Sequence, residues 1–569
     1  MLSTLIYATL HLLAFTSLVL ADTPTQQPLH EYPSSQSPKR VAIIGAGAGG
    51  TSLSYHLRKY ASSQPEQIPL DITIFDRNPY IGGRATIVNA FSLSEYPVEL
   101  GASIFVAINH ILVNATRELN LTSSVKIYQA PPEAKYELGV WDGTSFVFTA
   151  DVDDDDNSSA RGWWGIVKLL WRYGLAPIRT RRAAQAAAAT FSKFYEPPLF
   201  PFHSLQEVIE ETGLIDYTSV TGTEALINAG VSEKFRREIV QASTRVNYAS
   251  NLDAIHGLEA LVCMAVEGAT AVEGGNAQIF EAMAKVAADR VLLNTTVTDV
   301  VRDDKSNVFQ LSIQNLTDLE MITQDFDTVV LAAPFQFSNL SFTPPLVSPP
   351  KPVPYVPLHV TLFTTPYRLS PSFFNLENIE DVPASVLTTL PPKSSSTNLT
   401  SSISDSITLT NSAGSPGFWS ISTLQVLTDV PNYPDSPQYL YKIFSPAPLK
   451  ASWLAELFDI PYITSPSSSS SSESFEEGQD QDQDSISSLP DGAITWYHHK
   501  FWHSYPYETP RRQFEDFELT MQSPTTDSAT SSSNLWYLSG MESFISTMET
   551  SALAGMNVAR LIVDGWVGD

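Results

Sequence analysis

Two short, almost wholly apolar runs near the start, Arg40-Val-Ala-Ile-Ile and Asp71-Ile-Thr-Ile-Phe, have the composition of parallel strands buried on both faces. Between them lie a glycine-rich turn, Gly45-Ala-Gly47-Ala-Gly-Gly50, and a helical stretch from about Thr51 to Tyr60. Strand, glycine turn, helix and strand predict one βαβ unit. At the other end, Leu535 to Val567 predicts a short strand, a Gly-Met-Glu turn and a helix. The fold class is therefore α/β, with a Rossmann-like domain gathered from roughly residues 39–105, 265–335 and 530–569 around one sheet. The intervening pieces, 106–264 and 336–529, form a mixed α+β substrate domain, and the site lies between the two.

Other stretches break the pattern. Residues 22–38 are rich in Pro, Ser and Gln and read as an unstructured leader, and Asp151 to Asp156 reads as a solvated acidic loop. Gly162 to Tyr195 is basic, aromatic and alanine-rich, which predicts helix, and Thr343 to Pro357 is a proline-rich crossover. The tract at about 465–488 is Ser, Glu, Asp and Gln, which cannot build a core, so it reads as a disordered insertion.

Leu2 to Leu20 is apolar or small and ends in Val-Leu-Ala21, the pattern of a secretory signal peptide spanning residues 1–21, with an uncleaved anchor as the alternative because no positive charge precedes the run. No later apolar run reaches the roughly 18 residues a membrane span needs. Sequons at Asn114, Asn120, Asn157, Asn294, Asn315, Asn339 and Asn398 are expected glycosylation sites in that compartment. Cys263 is the only cysteine, so stability in an oxidising lumen must come from the core and a bound cofactor rather than an internal disulfide. A net charge of −28 excludes a nucleic-acid partner, which needs clustered cations.

The glycine turn carries the chemistry. Gly45 permits a tight turn, Gly47 lets a pyrophosphate approach the backbone, and Gly50 allows close helix packing, while the helix N-terminus receives the negative charge. Asp76, at the end of the second strand, is placed to accept hydrogen bonds from a ribose hydroxyl. No metal site is apparent, and no Ser/His/Asp arrangement presents itself; His256 reads as structural.

Asp76 is followed by Gly82-Gly83-Arg84, then Val98-Glu99-Leu-Gly101-Ala102-Ser103, and much later by Trp536-Tyr-Leu-Ser-Gly540-Met-Glu542. These resemble, in order, the flavin-binding elements of the flavin amine oxidase superfamily, so the resemblance implies FAD rather than NAD. Arg245-Val-Asn247-Tyr248, Val272-Glu-Gly274-Gly275-Asn276 and Trp502-His-Ser-Tyr505-Pro narrow it to the prenylcysteine oxidase (prenylcysteine lyase) family. That resemblance implies an oxidase that cleaves a prenyl thioether with oxygen as acceptor, releasing cysteine, a prenyl aldehyde and peroxide, in a lysosome- or vacuole-like compartment, with outright secretion as the alternative. It also implies Gly274 and Gly275 near the cofactor, and Arg245, Asn247, Tyr248 and Tyr505 as candidates for positioning substrate or lining the flavin. An amine oxidase and a non-catalytic prenyl-binding escort are the alternatives, and no partner protein is implied. Trp163 to Arg182 forms a basic-aromatic stretch that reads as a partly buried amphipathic helix with a solvated basic face, or alternatively as a contact for an anionic membrane surface.

Overall fold

Val41, Ala42 and Ile43 have no exposed surface because their strand, Lys39–Ile44, runs through the middle of a five-stranded parallel sheet. The sheet order is Leu535–Tyr537, Thr328–Leu331, Lys39–Ile44, Leu70–Phe75 and Arg290–Leu292. Val41 pairs with Ile72 on one side and Thr328 on the other. The computed structural model describes residues 37–124, 130–152, 169–265, 268–303, 308–392, 411–462, 484–522 and 534–568. The segment read as a signal peptide, most of the leader, the acidic run from Asp153, and Asn157 and Asn398 lie outside these residues.

Alternation along the central strand sends its side chains to two separate cores. Val41 and Ile43 join Leu53, Leu57, Ile279, Met283 and Leu553, contributed by three helices: Ala48–Ser62, Ala277–Ala287 and Met548–Gly568. Ala42 faces the opposite way, toward Val300, Leu311, Phe326 and Leu519. The first helix and the C-terminal helix approach so closely that a β-carbon on Gly555 would lie 2.3 Å from the Gly49 carbonyl oxygen.

The opposite face corrects the single-sheet expectation for 265–335. Residues 295–326 form most of a second, four-stranded sheet, ordered Met321–Phe326, Val308–Asn315, Thr295–Asp303 and Ser341–Thr343. Only Arg290–Leu292 and Thr328–Leu331 of that segment enter the parallel sheet.

A third sheet, of seven strands, builds the other half. Its order is Trp496–Pro506, Tyr355–Thr365, Gln438–Ser445, Ser420–Leu427, Ser385–Thr388, Tyr136–Trp141 and Phe146–Asp151. Every pairing is antiparallel except Ser385–Thr388 with Tyr136–Trp141. Helices including Ala176–Phe191, Gln241–Tyr248 and Gly257–Val262 complete this half.

The insertion ends earlier than its composition suggests. Asp484 accepts hydrogen bonds from the Ser452 amide (2.8 Å) and hydroxyl (2.6 Å) at the start of the helix Ala451–Phe458, and Ile486–Ser488 forms a 3-10 turn. The carboxylate caps the helix and is anchored by it.

Candidate functional site

The glycine turn folds as a cradle. Gly45 has φ of 120°, and its amide donates to the Phe75 carbonyl at 2.8 Å, turning the chain off the first strand. The helix Ala48–Ser62 then starts with no side-chain cap and no acid in its first turn. Its first amides are left to an external acceptor. Gly82 donates its amide to the Ala46 carbonyl at 2.9 Å, so the second glycine turn runs alongside the first. A β-carbon on Gly47 would meet nothing within 4 Å, and one on Gly83 would meet only the Gly47 α-carbon at 3.4 Å. These two glycines bound a shared open space lined by backbone. Asp76 stands beside it, accepting from the Ala46 amide at 2.8 Å and from Asn78. This arrangement fits the diphosphate and first ribose of a dinucleotide.

The later motifs converge on the same cleft. Arg84 keeps about a third of its side-chain surface accessible (35%) yet reaches Glu542 at 2.7 Å and donates to the Ser504 carbonyl. The second and last motifs are thus joined by an ion pair, and the Tyr355 hydroxyl donates to the other oxygen of Glu542 at 3.0 Å. Gly101 is squeezed between the Arg84 carbonyl, 2.2 Å from where a β-carbon would sit, and the Trp502 ring at 2.8 Å. Gly540 is buried against Glu515, with only 3.0 Å available to a β-carbon.

Beside Gly101 lies a buried charged group. Glu99 accepts from the Asn276 amide at 2.5 Å, and the Asn276 side chain donates to the Ala102 carbonyl. Lys442 donates to the Glu99 carbonyl at 2.8 Å and the Ser103 hydroxyl at 3.2 Å. Burial pushes the Glu99 carboxyl up and pulls the Lys442 ammonium down. Neither Lys442 nor Tyr355 is singled out by the sequence reading. Lys442 had a signal, as a lone cation in the aromatic strand Gln-Tyr-Leu-Tyr-Lys-Ile-Phe.

The candidates drawn from resemblance separate in space. Tyr248 and Tyr505 meet edge to face, with centroids 5.2 Å apart, and the Tyr505 hydroxyl has no partner among the described residues. Asn247 donates to the Ser243 carbonyl at 2.9 Å and keeps an accessible side chain. Arg245 does not belong with them. It is fully buried, with its guanidinium donating to Thr388, Asn251, Ala413 and Phe418 and lying 4.6 Å from the Trp419 ring centre. All its donors face inward, so it cannot reach a substrate in the cleft.

Gly274 and Gly275 form a tight turn. A β-carbon on Gly275 would lie 2.4 Å from an Ile87 methyl, and both glycines hold left-handed backbone, with φ of 83° and 118°. The turn itself, and at Gly275 its packing on Ile87, already require glycine here.

A family model described as prenylcysteine lyase matches residues 157–569, and one described as NAD(P)-binding Rossmann-like domain matches 43–115. The chain is 26% identical to farnesylcysteine lyase of Arabidopsis thaliana over 537 residues, covering 93% of this chain and 88% of the relative. It is 26% identical to prenylcysteine oxidase 1 of Bos taurus, covering 95% and 92%. A solved putrescine oxidase variant superposes with a TM-score of 0.50 at 14% identity, covering 93% of this chain and 99% of that one. That last likeness bears on fold alone.

Proposed function

The chain belongs to the prenylcysteine lyase family, and we propose that it is an FAD-dependent oxidase cleaving the thioether of a farnesyl- or geranylgeranylcysteine. The products are cysteine, a prenyl aldehyde and hydrogen peroxide. The family match over 157–569 carries this reading, and the glycine cradle supports the cofactor. Bound there, FAD supplies a two-electron acceptor for hydride from the carbon between sulfur and the allylic double bond, with dioxygen as final acceptor.

The protein's own contribution is binding, orientation and charge. Gly47, Gly83 and the uncapped helix start hold the diphosphate, and Asp76 receives a ribose hydroxyl. Arg84, fixed by Glu542 and the Ser504 carbonyl, brings positive charge to the far end of the cradle. Tyr248 and Tyr505 present an aromatic wall suited to an isoprenoid chain.

Anaerobic mixing of the purified protein with farnesylcysteine is expected to bleach the flavin absorbance. Admitting oxygen then restores it, with peroxide and free cysteine formed. A yellow protein whose absorbance does not change with farnesyl- or geranylgeranylcysteine would overturn the substrate reading.

We also propose peripheral membrane contact. Trp171 is 90% exposed, Leu175 58% and Ile178 37%, on either side of the turn at Gly174 that precedes the helix Ala176–Phe191, which also carries the exposed Arg182. Arg172 and Arg179 are less free, since they bond Glu238 and the Gly230 carbonyl. Trp163, Trp164 and Lys168 lie outside the described residues. Among the described residues no helix is long and apolar enough to cross a membrane. Trp171→Ser is expected to weaken sedimentation with anionic vesicles about 10-fold, as loss of one buried aromatic implies, while turnover of soluble substrate is unchanged. Failure of the unaltered protein to bind such vesicles would sink the idea.

The compartment we propose is the secretory lumen, lysosome- or vacuole-like. The apolar segment Leu2 to Leu20 and the exposed sequons Asn114, Asn120 and Asn339 support it; Asn294 and Asn315 are half-buried. Treatment with a peptide N-glycosidase should lower the apparent mass of protein made in its own secretory pathway.

A further inference from the structure

Behind the tyrosine pair lies a set of polar groups that the reading above leaves without work. Glu259 and His256 are fully buried and Glu508 is 2% exposed. Both oxygens of each glutamate, His256 Nε2 and the Tyr505 hydroxyl lack a hydrogen-bond partner among the described residues. Single buried orphans occur in many proteins, but a contiguous group of them marks a place where protons or water are handled.

Several elements bring the group together. The His256 amide donates to the Glu508 carbonyl, and His256 Nε2 stands 3.5 Å from a Glu508 carboxyl oxygen. That gap is slightly long for a direct bond. His256 Nδ1 accepts from the Glu259 amide at 3.1 Å, which fixes the ring and aims Nε2 at Glu508. The Tyr248 hydroxyl donates to the Ser546 carbonyl at 3.2 Å, and it lies beside Glu259. Tyr248 in turn packs on Tyr505 at the cleft. Cys263 lies next to Glu259, while Arg84, Arg511, Glu515 and Glu542 face Glu508.

Such surroundings favour the neutral form of each member. Burial, reinforced by the neighbouring Glu508, pushes Glu259 up to about 8, and burial pushes Glu508 well above the usual carboxyl range. Burial pulls His256 down to about 4, so it stays neutral, with Nδ1 as acceptor and Nε2 carrying its hydrogen toward Glu508.

The proposed reaction needs a proton store. Hydride leaves carbon with two electrons, and water adds to that carbon, forming a C–O bond and releasing one proton. The C–S bond then breaks, sulfur leaving as thiol with the hydroxyl proton. Dioxygen takes up the hydride equivalent and one further proton to give peroxide. The first half releases one proton and the second consumes one.

We propose that Glu259 and Glu508, linked by His256, supply the proton that the second half consumes and are restored by the proton that the first half of the next turnover releases, connected to the cleft through Tyr248 and Tyr505. The inference rests on the oxidase reading, but its test does not need the thioether. Flavin in the holoenzyme is reduced photochemically, then mixed with oxygenated, weakly buffered solution containing a pH indicator. In the unaltered protein, proton uptake from solution lags behind recovery of flavin absorbance, because the stored proton is used first. In Glu259→Gln and Glu508→Gln, reoxidation slows about 10-fold or more, in the range of lost general acid–base assistance, and the lag disappears.

Stability provides a second readout. Because Glu259 is raised from 4.5 to about 8, its neutral form favours the fold below 4.5, and that contribution is lost as pH rises through 8. The holoenzyme's melting temperature should fall across this window, and Glu259→Gln should flatten the fall. Variants that fold, keep their flavin and reoxidise at the unaltered rate with the lag intact overturn the proposal. If neither variant folds, infrared difference spectra of the unaltered protein decide. A protonated-carboxyl band that changes on reoxidation supports the store, and no change there overturns it. Flavin that farnesylcysteine does not bleach, in a protein still showing the lag, would fault the substrate reading alone.

Discussion

Replacing Gly47 with Val is expected to leave a folded protein that no longer holds flavin, whereas Gly50→Ala leaves little folded protein to load. The two glycines sit in one turn and differ in what surrounds them. Gly47 has φ of −81° and ψ of −170°, extended backbone open to any L-residue, and an added β-carbon meets nothing within 4 Å. The new methyls enter the space bounded by Gly47 and Gly83, where a diphosphate must touch backbone amides. A loss of flavin affinity on the order of 100-fold, about 2.7 kcal/mol, is expected. At Gly50 a β-carbon would stand 2.0 Å from the Gly45 carbonyl oxygen and 3.1 Å from both Ala332 and Ile43 side chains. Gly45 cannot yield, since its own amide is bonded to Phe75 and its β-carbon position is 2.7 Å from the Ala332 oxygen. Overpacking of this kind costs about 1–3 kcal/mol even where side chains can adjust, and here the obstacle is backbone. Flavin absorbance per mole of protein, with calorimetry of the flavin-free form, separates the cases. A yellow Gly47→Val protein would show that the diphosphate lies elsewhere.

What was legible in the chain was local. The central βαβ unit announces itself because buried parallel strands are short apolar runs, and because a glycine-rich turn joins strand to helix at this kind of site. The helix Ala48–Ser62 begins three residues before the sequence reading places it, since nothing in Ala-Gly-Gly looks helical until the strand before it fixes the turn. The four-stranded sheet is visible afterwards in the period-two pattern of Val308–Asn315, where buried Phe309, Leu311 and Ile313 alternate with Gln310, Ser312 and Gln314. It was merged with the parallel sheet because pattern reveals strands and not their partners. Composition misplaced the end of the insertion for a similar reason. Asp484 looks like its acidic neighbours, and only its bonds to Ser452 show that it belongs to the core.

The site divides along the same line. Backbone-binding glycines leave a motif, whereas side chains that meet across the fold do not. Glu542 was placed by its motif, but its ion pair with Arg84 and its bond to Tyr355 span hundreds of residues. Glu259 and Glu508 come from different halves of the chain and acquire their character only on burial together. His256 reads as structural in the sequence, and only the fold shows that its ring faces Glu508.

Arg245 gives the second large effect, and it separates positioning of substrate from support of the fold. Arg245→Leu is expected to lower stability by about 3–5 kcal/mol, the range for breaking a buried charged network. The guanidinium is the hub that ties the helix Gln241–Tyr248 to the seven-stranded sheet and the loop at Ser412 to Phe418. Without it, the Asn251 side chain and the Ala413 and Phe418 carbonyls lose a shared donor inside the protein, and unsatisfied acceptors there are expensive. The Trp419 face, 4.6 Å from the guanidinium centre, loses its cation as well. Lysine cannot replace the fork, so Arg245→Lys should recover only part of the loss. Since no donor points into the cleft, the Arg245→Lys protein that does fold should bind farnesylcysteine with an unchanged KM. Thermal denaturation and steady-state kinetics on the same preparation test both halves. A stable variant with a KM raised 10-fold or more would return Arg245 to the substrate and displace the structural assignment.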